Sequence, residues 1–360
     1  MSRAMHLLIT TDAVGGVWTH ALELGRGLMA RGVSVTLAVL GPPPTAAQRA
    51  AAPMPLHALD VPLDWLAASP AEVQRAADQV AALAARVGAD VIHLNSPALA
   101  AIGLGRPVVA GCHSCLATWW QAMRKGAWPD DFAWRIEMPS RGYRAADALV
   151  APTRSFADAT RRAHDLPSAP IVVPNGRSLR RRAAWSGHFA FAAGRLWDEG
   201  KGIATLDKAA ALLDAPVFAA GSTAGPAGQS IAPRHLRLLG PLDDAAMEDW
   251  LSRGPVFVSA ARYEPFGLAV LEAAQAGCAL VLSDIASFRE LWDGAALFVP
   301  PEDARGFAAA IGALLRDPAR RAAFSHAAAE RAQSYSASTM AERMHAVHAR
   351  VLRQAKGMQS

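Results

Sequence analysis

Short apolar runs alternate with amphipathic stretches along the whole chain of 360 residues. The first run, at 5–9, leads into a loop with Gly15 and Gly16, and helical spacing of apolar residues follows from 21 to 28. Uninterrupted runs are typical of strands buried on both faces of a parallel sheet, so the alternation predicts an α/β fold. Further runs lie at 33–39, 90–94, 107–111, 148–151, 171–173, 189–193, 217–220, 236–239, 256–258, 280–282 and 297–299.

The pattern of strand, glycine-containing loop and helix begins twice, at 5–28 and again at 189–213. Between them, PNGRSLRRRAAWSGH has no apolar period and is interpreted as a linker. We therefore predict two Rossmann-like domains, 1–174 and 189–340, joined by the linker 175–188 and facing each other across a deep cleft. A helix is also predicted at about 340–360, and its packing back onto the first domain is left open. The cleft is the default ligand site.

Composition narrows the class of protein. The formal net charge of +5 suits an anionic substrate, a nucleic acid or an acidic membrane surface without choosing among them. Three cysteines exclude a disulfide framework and favour a reducing compartment. The first apolar run is too short for a signal peptide, and no run reaches the ~18 residues of a spanning helix. We expect a cytoplasmic protein, with peripheral contact at the inner face of a membrane left open.

The stretch VFVSAARYEPFGLAVLEAAQAG, which starts at residue 256, carries two carboxylates eight positions apart. Glu264 lies on a predicted loop and Glu272 within the helix that follows it. Gly267, at the predicted helix start, lets a ligand approach the unpaired N–H groups there, where the helix dipole favours an anion. Carboxylates at these positions suit two hydroxyl groups of one ligand; the alternative is a surface carboxylate and a helix-face carboxylate with no shared role.

A second stretch, FAFAAGRLWDEGKGIATL, places two cations on a loop after a predicted strand. Arg195 and Lys201 stand among three glycines. A planar guanidinium and a mobile ammonium beside exposed amides form a suitable clamp for a diphosphate; two solvated loop cations are the alternative.

Together these stretches resemble the retaining glycosyltransferases of family 4, which have the GT-B fold. EPFG and LEAAQAG match the family's Glu-x7-Glu motif, and GRL with the later KG matches its cationic element. Pro174, Asn175 and Gly176 match the turn before its linker. The resemblance spans nearly the whole chain; Ala260 and Ala261 replace a common Pro-Ser pair.

The resemblance implies roles for these residues. Arg195 and Lys201 would neutralise the diphosphate leaving group in place of a metal ion, so no metal and no cofactor is expected. Glu264 would bind hydroxyls of the transferred sugar and Glu272 the ribose of the nucleotide. The remaining donor contacts would come from backbone near Phe266, Gly267 and Leu268, and from Gly15 and Gly16 against the phosphates or the reacting sugar.

His113, in VVAGCHSCL, follows a predicted strand at the end where open α/β sheets bind their ligands. The resemblance suggests that it contacts the donor sugar near the reacting carbon; a structural histidine is the alternative. Cys112 and Cys115 flank it, and a redox pair or part of a zinc site would each need further context.

Two basic regions are compatible with more than one kind of acceptor. Aromatic residues interleave with arginine and lysine at 119–135, which suits an acceptor pocket, a lipid contact or simple packing. Arg177, Arg180, Arg181 and Arg182 in the predicted linker would meet phospholipid head groups or remain solvated.

The resemblance thus predicts a transferase whose partners are a nucleotide diphosphate-sugar and a hydroxyl acceptor, either saccharide or lipid-linked, and not a nucleic acid. A nucleotide-sugar epimerase and an inactive scaffold remain alternatives. GGVW lacks the G-x-G-x-x-G spacing of a dinucleotide-binding oxidoreductase.

Overall fold

A computed structural model describes residues 4–178, 187–226 and 228–357 of the chain. The chain divides into two compact units: the first comprises residues up to Gly176 together with those from Ala337 onward, and the second is Arg177–Ser336. Within the described ranges, no helix is both long and apolar enough to cross a membrane.

The first unit is built on a seven-stranded parallel sheet, in the order β3-β2-β1-β4-β5-β6-β7. Its central strands are uninterrupted apolar runs because helices cover both faces. The strands are β1 His6–Thr11, β2 Ser34–Val39, β3 Leu56–Ala58, β4 Val91–Leu94, β5 Val108–Gly111, β6 Ala148–Ala151 and β7 Ile171–Val172.

Six helices and two 3₁₀ segments connect these strands. The helices are α1 Gly16–Met29, α2 Ala46–Ala51, α3 Pro70–Val87, α4 Leu116–Met123, α5 Ala133–Ala145 and α6 Arg154–Ala163. The 3₁₀ segments are Pro97–Ile102 and Asp130–Phe132. Successive residues of β1 point to opposite faces, so Leu7 and Ile9 join one core and Leu8 joins the other.

The second unit repeats the same plan with a six-stranded parallel sheet, in the order β10-β9-β8-β11-β12-β13. Phe191 and Phe257 pack on one face, and Ala192 and Val258 on the other. The strands are β8 Ala190–Ala193, β9 Val217–Ala220, β10 Arg237–Gly240, β11 Val256–Ser259, β12 Ala279–Ser283 and β13 Leu297–Val299.

Helices flank this second sheet as well. They are α7 Ile203–Ala210, α8 Asp244–Ser252, α9 Leu268–Gln275, α10 Ala286–Trp292, α11 Ala304–Arg316 and α12 Pro318–Ala332, with 3₁₀ segments at Glu199–Lys201 and Gln333–Tyr335. The last helix, α13 Ala337–Gly357, belongs to the first unit and packs against α1. The two helices approach closely because Gly27 has no side chain: a Cβ there would lie 2.4 Å from that of Ala341.

Each predicted apolar run overlaps a strand, and the predicted α/β class is confirmed. Two details differ from the prediction. No apolar run predicts β3, a three-residue edge strand that is only half-buried. The run at 236–239 predicts a strand buried on both faces, whereas β10 is an edge strand in which Leu238 is 44% exposed. Edge strands lack cover on one side, so their apolar pattern carries less information.

Candidate functional site

The strand order reverses once in each sheet, between β1 and β4 and between β8 and β11. Ligands of open α/β sheets bind beyond the carboxyl ends of the strands at such points. In the second unit, β8 ends just before Gly194 and Arg195, and β11 ends just before the loop with Glu264. The predicted donor residues of this unit therefore lie at its switch point.

Lys201 and Glu264 form an ion pair at this point. Lys201 Nζ donates to Glu264 Oε2 over 2.5 Å, and both side chains are about four-fifths buried. Glu264 Oε1 accepts from the backbone N–H of Phe266 at 3.4 Å, and its backbone carbonyl accepts from the Ser287 hydroxyl at 2.5 Å. The carboxylate is thereby held in one orientation.

The electrostatic surroundings keep Glu264 ionised. Burial alone raises the pKa of its carboxyl, but the charge of Lys201 and its hydrogen bond lower it again. The Phe266 N–H and the Arg195 guanidinium lower it further, so the pKa lies below its usual value. A charged carboxylate accepts hydrogen bonds from hydroxyl groups of a ligand.

Backbone contacts fix the loop that carries Lys201 against the loop that carries Glu264. The carbonyl of Gly200 accepts from the N–H groups of Arg262 (2.8 Å) and Tyr263 (3.2 Å). Gly202 has φ +66°, and a Cβ there would lie 1.9 Å from the carbonyl oxygen of Ala260. Only glycine fits this position, since both the conformation and the space exclude a side chain.

Arg195 lies at the more open side of the same loop. Its guanidinium donates to Asp198 at 2.9 Å and its side chain is 47% exposed. Asp198 also accepts from the N–H of Gly200 at 2.9 Å, which ties Arg195 to the turn before Lys201. The structure thus brings Arg195, Lys201 and Glu264 together, and Arg195 is accessible to an anion.

Helix α9 begins next to Glu264, as expected from the sequence. Gly267 is its N-terminal capping residue with φ +88°, and no side chain in the described part of the chain caps this end. Leu268 is the first helical residue, so its N–H belongs to the unpaired set at the helix start. Phe266 differs: its ring is buried in the core and its N–H points to Glu264, so that amide is already occupied.

Glu272 is buried in α9 and forms an ion pair with Arg177. Arg177 Nε donates to Glu272 Oε1 at 2.8 Å, and its Nη2 donates to Asp244 at 2.9 Å. Arg177 is itself only 7% exposed. Both sequence interpretations of Arg177, a solvated charge and a contact for lipid head groups, are therefore wrong, because two carboxylates neutralise it inside the second unit.

The other three linker arginines, Arg180, Arg181 and Arg182, lie outside the described residues. Arg177 was missed as a partner of Glu272 because the pair is 95 positions apart in the sequence. The donor-site role of Glu272 stays a prediction.

In the first unit, the loop after β1 contains Gly15 and leads directly into Gly16, the first residue of α1. Gly15 has φ +87°, a conformation that favours glycine, and apart from its chain neighbours no atom of the described residues lies within 4 Å of where its Cβ would be. The turn is therefore open on that side. Asp12 holds it through a hydrogen bond from the Val14 N–H at 2.7 Å.

His113 follows β5 at the same edge of the first sheet. Its Nε2 lies 2.6 Å from Asn95 Oδ1, and its ring meets that of His20 edge-on with centroids 4.6 Å apart. Burial lowers the pKa of His113 to about 4, so the imidazole is neutral at pH 7. Asn95 was not among the predicted site residues, although its place directly after β4 at a switch point was a usable signal.

Cys112 and Cys115 differ in their surroundings. Cys112 is buried, and burial raises the pKa of its thiol. The Cys115 sulfur lies 3.3 Å from His164 Nε2 and 3.0 Å from the Thr118 hydroxyl. Among the residues that the structure describes, no group of three or more histidine, cysteine or acidic side chains is arranged to hold a metal ion.

Two family models match the chain in succession. Residues 14–181 match the model described as Glycosyltransferase Family 4, and residues 188–317 match that described as Glycosyl transferases group 1. Together they account for most of the chain.

Curated relatives are similar over shorter stretches. A phosphatidyl-myo-inositol mannosyltransferase of Mycolicibacterium smegmatis is 38% identical over 117 residues, 32% of this chain and 30% of the relative. A glycogen synthase of Mycobacterium tuberculosis is 38% identical over 103 residues, 28% of this chain and 25% of the relative. The chain thus matches less than a third of the length of either protein.

Solved structures resemble the chain over nearly its full length. Sucrose-phosphate synthase from Thermosynechococcus elongatus has a TM-score of 0.81 at 19% identity and covers 97% of this chain and 100% of its own. HepE from Anabaena, in complex with UDP-glucose, has a TM-score of 0.73 at 17% identity and covers 96% and 99%. At these identities the likeness shows the fold, which is the two-domain α/β fold predicted from the sequence.

Proposed function

Because the chain belongs to family 4 of the glycosyltransferases and has the GT-B fold, we propose that it transfers a sugar from a nucleotide diphosphate-sugar to a hydroxyl acceptor. We further propose that the anomeric configuration is retained and that no metal ion takes part. The observation that carries the proposal is the Lys201–Glu264 ion pair, 2.5 Å long, beside the start of α9.

A donor site must bind both a diphosphate and the hydroxyl groups of a sugar, and the ion pair offers groups for both. The ammonium of Lys201 and the exposed guanidinium of Arg195 offer positive charge for a diphosphate, and the N–H groups at Gly267 and Leu268 add to it. The carboxylate of Glu264 offers an acceptor for sugar hydroxyls. Glu272 is proposed to bind the ribose while its other contacts, with Arg177, hold it in place.

These groups favour departure of the diphosphate. The bond from the anomeric carbon to the diphosphate oxygen breaks, and its electron pair stays on that oxygen, where Arg195 and Lys201 stabilise the charge. The acceptor oxygen forms its bond to the same face of the carbon. Its proton passes to the departing phosphate oxygen, so that no separate base is required.

Residues of the first unit carry separate proposals. His113 is proposed to contact a hydroxyl of the transferred sugar. Gly15 and Gly16 are proposed to leave room for a phosphate or a sugar atom, which fits the open space beside Gly15.

The proposed donor class has support from HepE, whose structure contains UDP-glucose. The relatives whose names mention phosphatidyl-myo-inositol and glycogen support either a lipid-linked or a saccharide acceptor, and the former would place the protein at a membrane surface. The exposed indoles of Trp65 (46%) and Trp128 (37%) fit either acceptor, since they stack on sugar rings and also enter lipid interfaces.

A donor screen followed by product analysis tests the proposal. Thermal shifts with UDP-, GDP- and ADP-sugars identify the donor, because a ligand selective for the native state raises the melting temperature. NMR of early product should show the configuration of the donor, and transfer should persist in excess EDTA. An inverted linkage, or activity lost in EDTA and restored by magnesium, would contradict the mechanism; donor consumption without acceptor would indicate an epimerase.

A further inference from the structure

The side chain of Asn95 has a fixed orientation. Its Nδ2 donates to the backbone carbonyl of Thr10 at 2.7 Å, and its backbone N–H donates to the Thr10 hydroxyl at 2.9 Å. A carbonyl oxygen only accepts hydrogen bonds, so the amide nitrogen must face Thr10. The amide oxygen, Oδ1, therefore faces His113.

This orientation decides which nitrogen of His113 carries the proton. Oδ1 lies 2.6 Å from His113 Nε2 and only accepts, so Nε2 must donate. In a neutral imidazole the other nitrogen, Nδ1, is then an acceptor. Thr10, Asn95 and His113 form a directed chain of hydrogen bonds that begins at a carbonyl of β1.

The backbone of β5 leaves space for this chain. A Cβ on Gly111 would lie 2.9 Å from His113 Nε2 and 3.2 Å from Asn95 Oδ1. A side chain at this position would displace one or both of these atoms. Gly111 thus leaves the space in which Asn95 and His113 make their contact.

We propose that Asn95 is a positioning residue that holds His113 as the Nε2–H tautomer, so that Nδ1 accepts a hydrogen bond from a hydroxyl of the sugar. This inference rests on the proposed function and adds to it the direction of the hydrogen bond at His113. It predicts that a donor sugar whose facing hydroxyl is replaced by hydrogen or fluorine loses this contact.

The surroundings of His113 keep its acceptor nitrogen available. Two imidazoles face it, His20 on α1 and His93 on β4, and burial lowers the pKa of both well below the usual value. These neutral rings add no charge that would favour protonation of His113. A protonated ring would donate from both nitrogens and could not accept.

The tautomer is measured directly by NMR of the full chain labelled with ¹⁵N-histidine, with His113→Phe to assign the signal. We expect the Nε2–H pattern in the wild type and a mixture of both tautomers in Asn95→Leu. A wild-type Nδ1–H tautomer would overturn the inference whether or not the protein transfers sugar. Absence of any transfer by the wild type would instead overturn the proposed function.

Kinetics test whether the tautomer matters for transfer. We expect kcat/KM for transfer to fall at least about tenfold in Asn95→Leu and also in Gly111→Ala, a variant that keeps the side chain of Asn95. The affinity of both variants for the free nucleotide diphosphate should not change. Thr36→Val is the matched control, because Thr36 also bonds a histidine, His6, at 2.9 Å in the same unit. Wild-type transfer by either site variant, with the control also active, would overturn the role of Asn95.

Replacing the amide of Asn95 with a carboxylate tests whether Asn95 acts through His113. The pH dependence of transfer should change if it does, and should not change if Asn95 has a purely structural role. In Asn95→Asp the added charge should raise the pKa of His113. The rate of transfer by this variant should therefore fall at acid pH values above ~5, where the rate of the wild type does not fall. If the pH profiles of transfer superimpose on the acid side for the two proteins, and circular dichroism shows that the variant is folded, the inference is overturned.

Discussion

At the residue scale, the second unit differs from the sequence interpretation in how its charges are paired. The sequence indicated Arg195, Lys201, Glu264 and Glu272 as separate contacts for a ligand. In the structure, Lys201 is paired with Glu264 and Glu272 with Arg177. Paired charges hold each other in position before a ligand arrives, which reduces the ordering cost of binding.

Replacing Glu264 with glutamine tests the first of these pairs. The amide keeps the shape but lacks the charge that holds Lys201, so we expect kcat/KM for transfer to fall roughly 10–100-fold. Far-UV circular dichroism should not change. Glu302→Gln is the control, since Glu302 is 73% exposed in its ion pair with Arg262. Turnover close to that of the wild type would remove Glu264 from the site.

At the scale of elements, glycines set the geometry of the loops that follow β8 and β11. Gly202 permits the close approach of the two loops, and Gly267 ends the second loop with φ +88°. Both positions combine a left-handed backbone with a crowded neighbour: a Cβ on Gly267 would lie 2.9 Å from the ring of Phe288. The site therefore depends on backbone conformation as much as on its charged side chains.

Two alanine variants separate the effect of the close approach at Gly202 on the free energy of unfolding from that of the backbone conformation. Gly202→Ala and Gly277→Ala both place a side chain at positive φ, +66° and +84°, but nothing lies within 4 Å of a Cβ at Gly277. We expect Gly277→Ala to cost about 1–2 kcal/mol in the free energy of unfolding and Gly202→Ala clearly more. Urea unfolding measures both. Equal losses would contradict the contact with Ala260.

Transfer provides a second measurement of the same variants. Gly202→Ala should also lower transfer, because the displaced loop carries Lys201, whereas Gly277→Ala should leave it near wild type. Full activity of Gly202→Ala would show that the Lys201 loop tolerates the shift.

At the scale of the whole molecule, acid should destabilise the first unit through its buried histidines. Five histidines of the first unit have a lowered pKa in the folded state, mainly because burial disfavours their charged form; they are His20, His93, His113, His164 and His348. Their stabilising contribution is complete above the unfolded pKa of ~6.5 and is lost as the pH falls from there toward the folded values.

The buried pair of His93 and His348 is the sharpest test of this acid response. Its ring nitrogens lie 3.0 Å apart between β4 and α13. The melting temperature of the variant His93→Leu/His348→Leu should fall less between pH 7 and pH 5 than that of the wild type. In the wild type, each of these histidines lowers the free energy of unfolding by up to about 2 kcal/mol over this pH range. Calorimetry measures this slope, and the exposed His235→Gln should leave it unchanged. Identical slopes in the double variant and the wild type would contradict the assignment.

The sequence by itself determined the class of fold and indicated which charged residues lie at the switch point of the second unit. Apolar runs report burial in a parallel sheet directly, so every predicted run overlapped a strand. The edge strand β3 escaped because its three residues are only half-buried. Glu264, Arg195 and Lys201 were predictable because they lie within short motifs, beside the glycines that shape their own loops.

Only the tertiary structure decided which groups are partners. Arg177 and Glu272 are 95 positions apart, and His113 and Asn95 are 18 apart on different loops. No local pattern encodes such pairs, because they form only when the strand order brings two loops to one edge of a sheet. The same holds for His93 and His348, which are joined across 255 positions when the last helix packs against the first unit. Residue types follow from the sequence, whereas their charges, tautomers and orientations follow from the neighbours that the fold supplies.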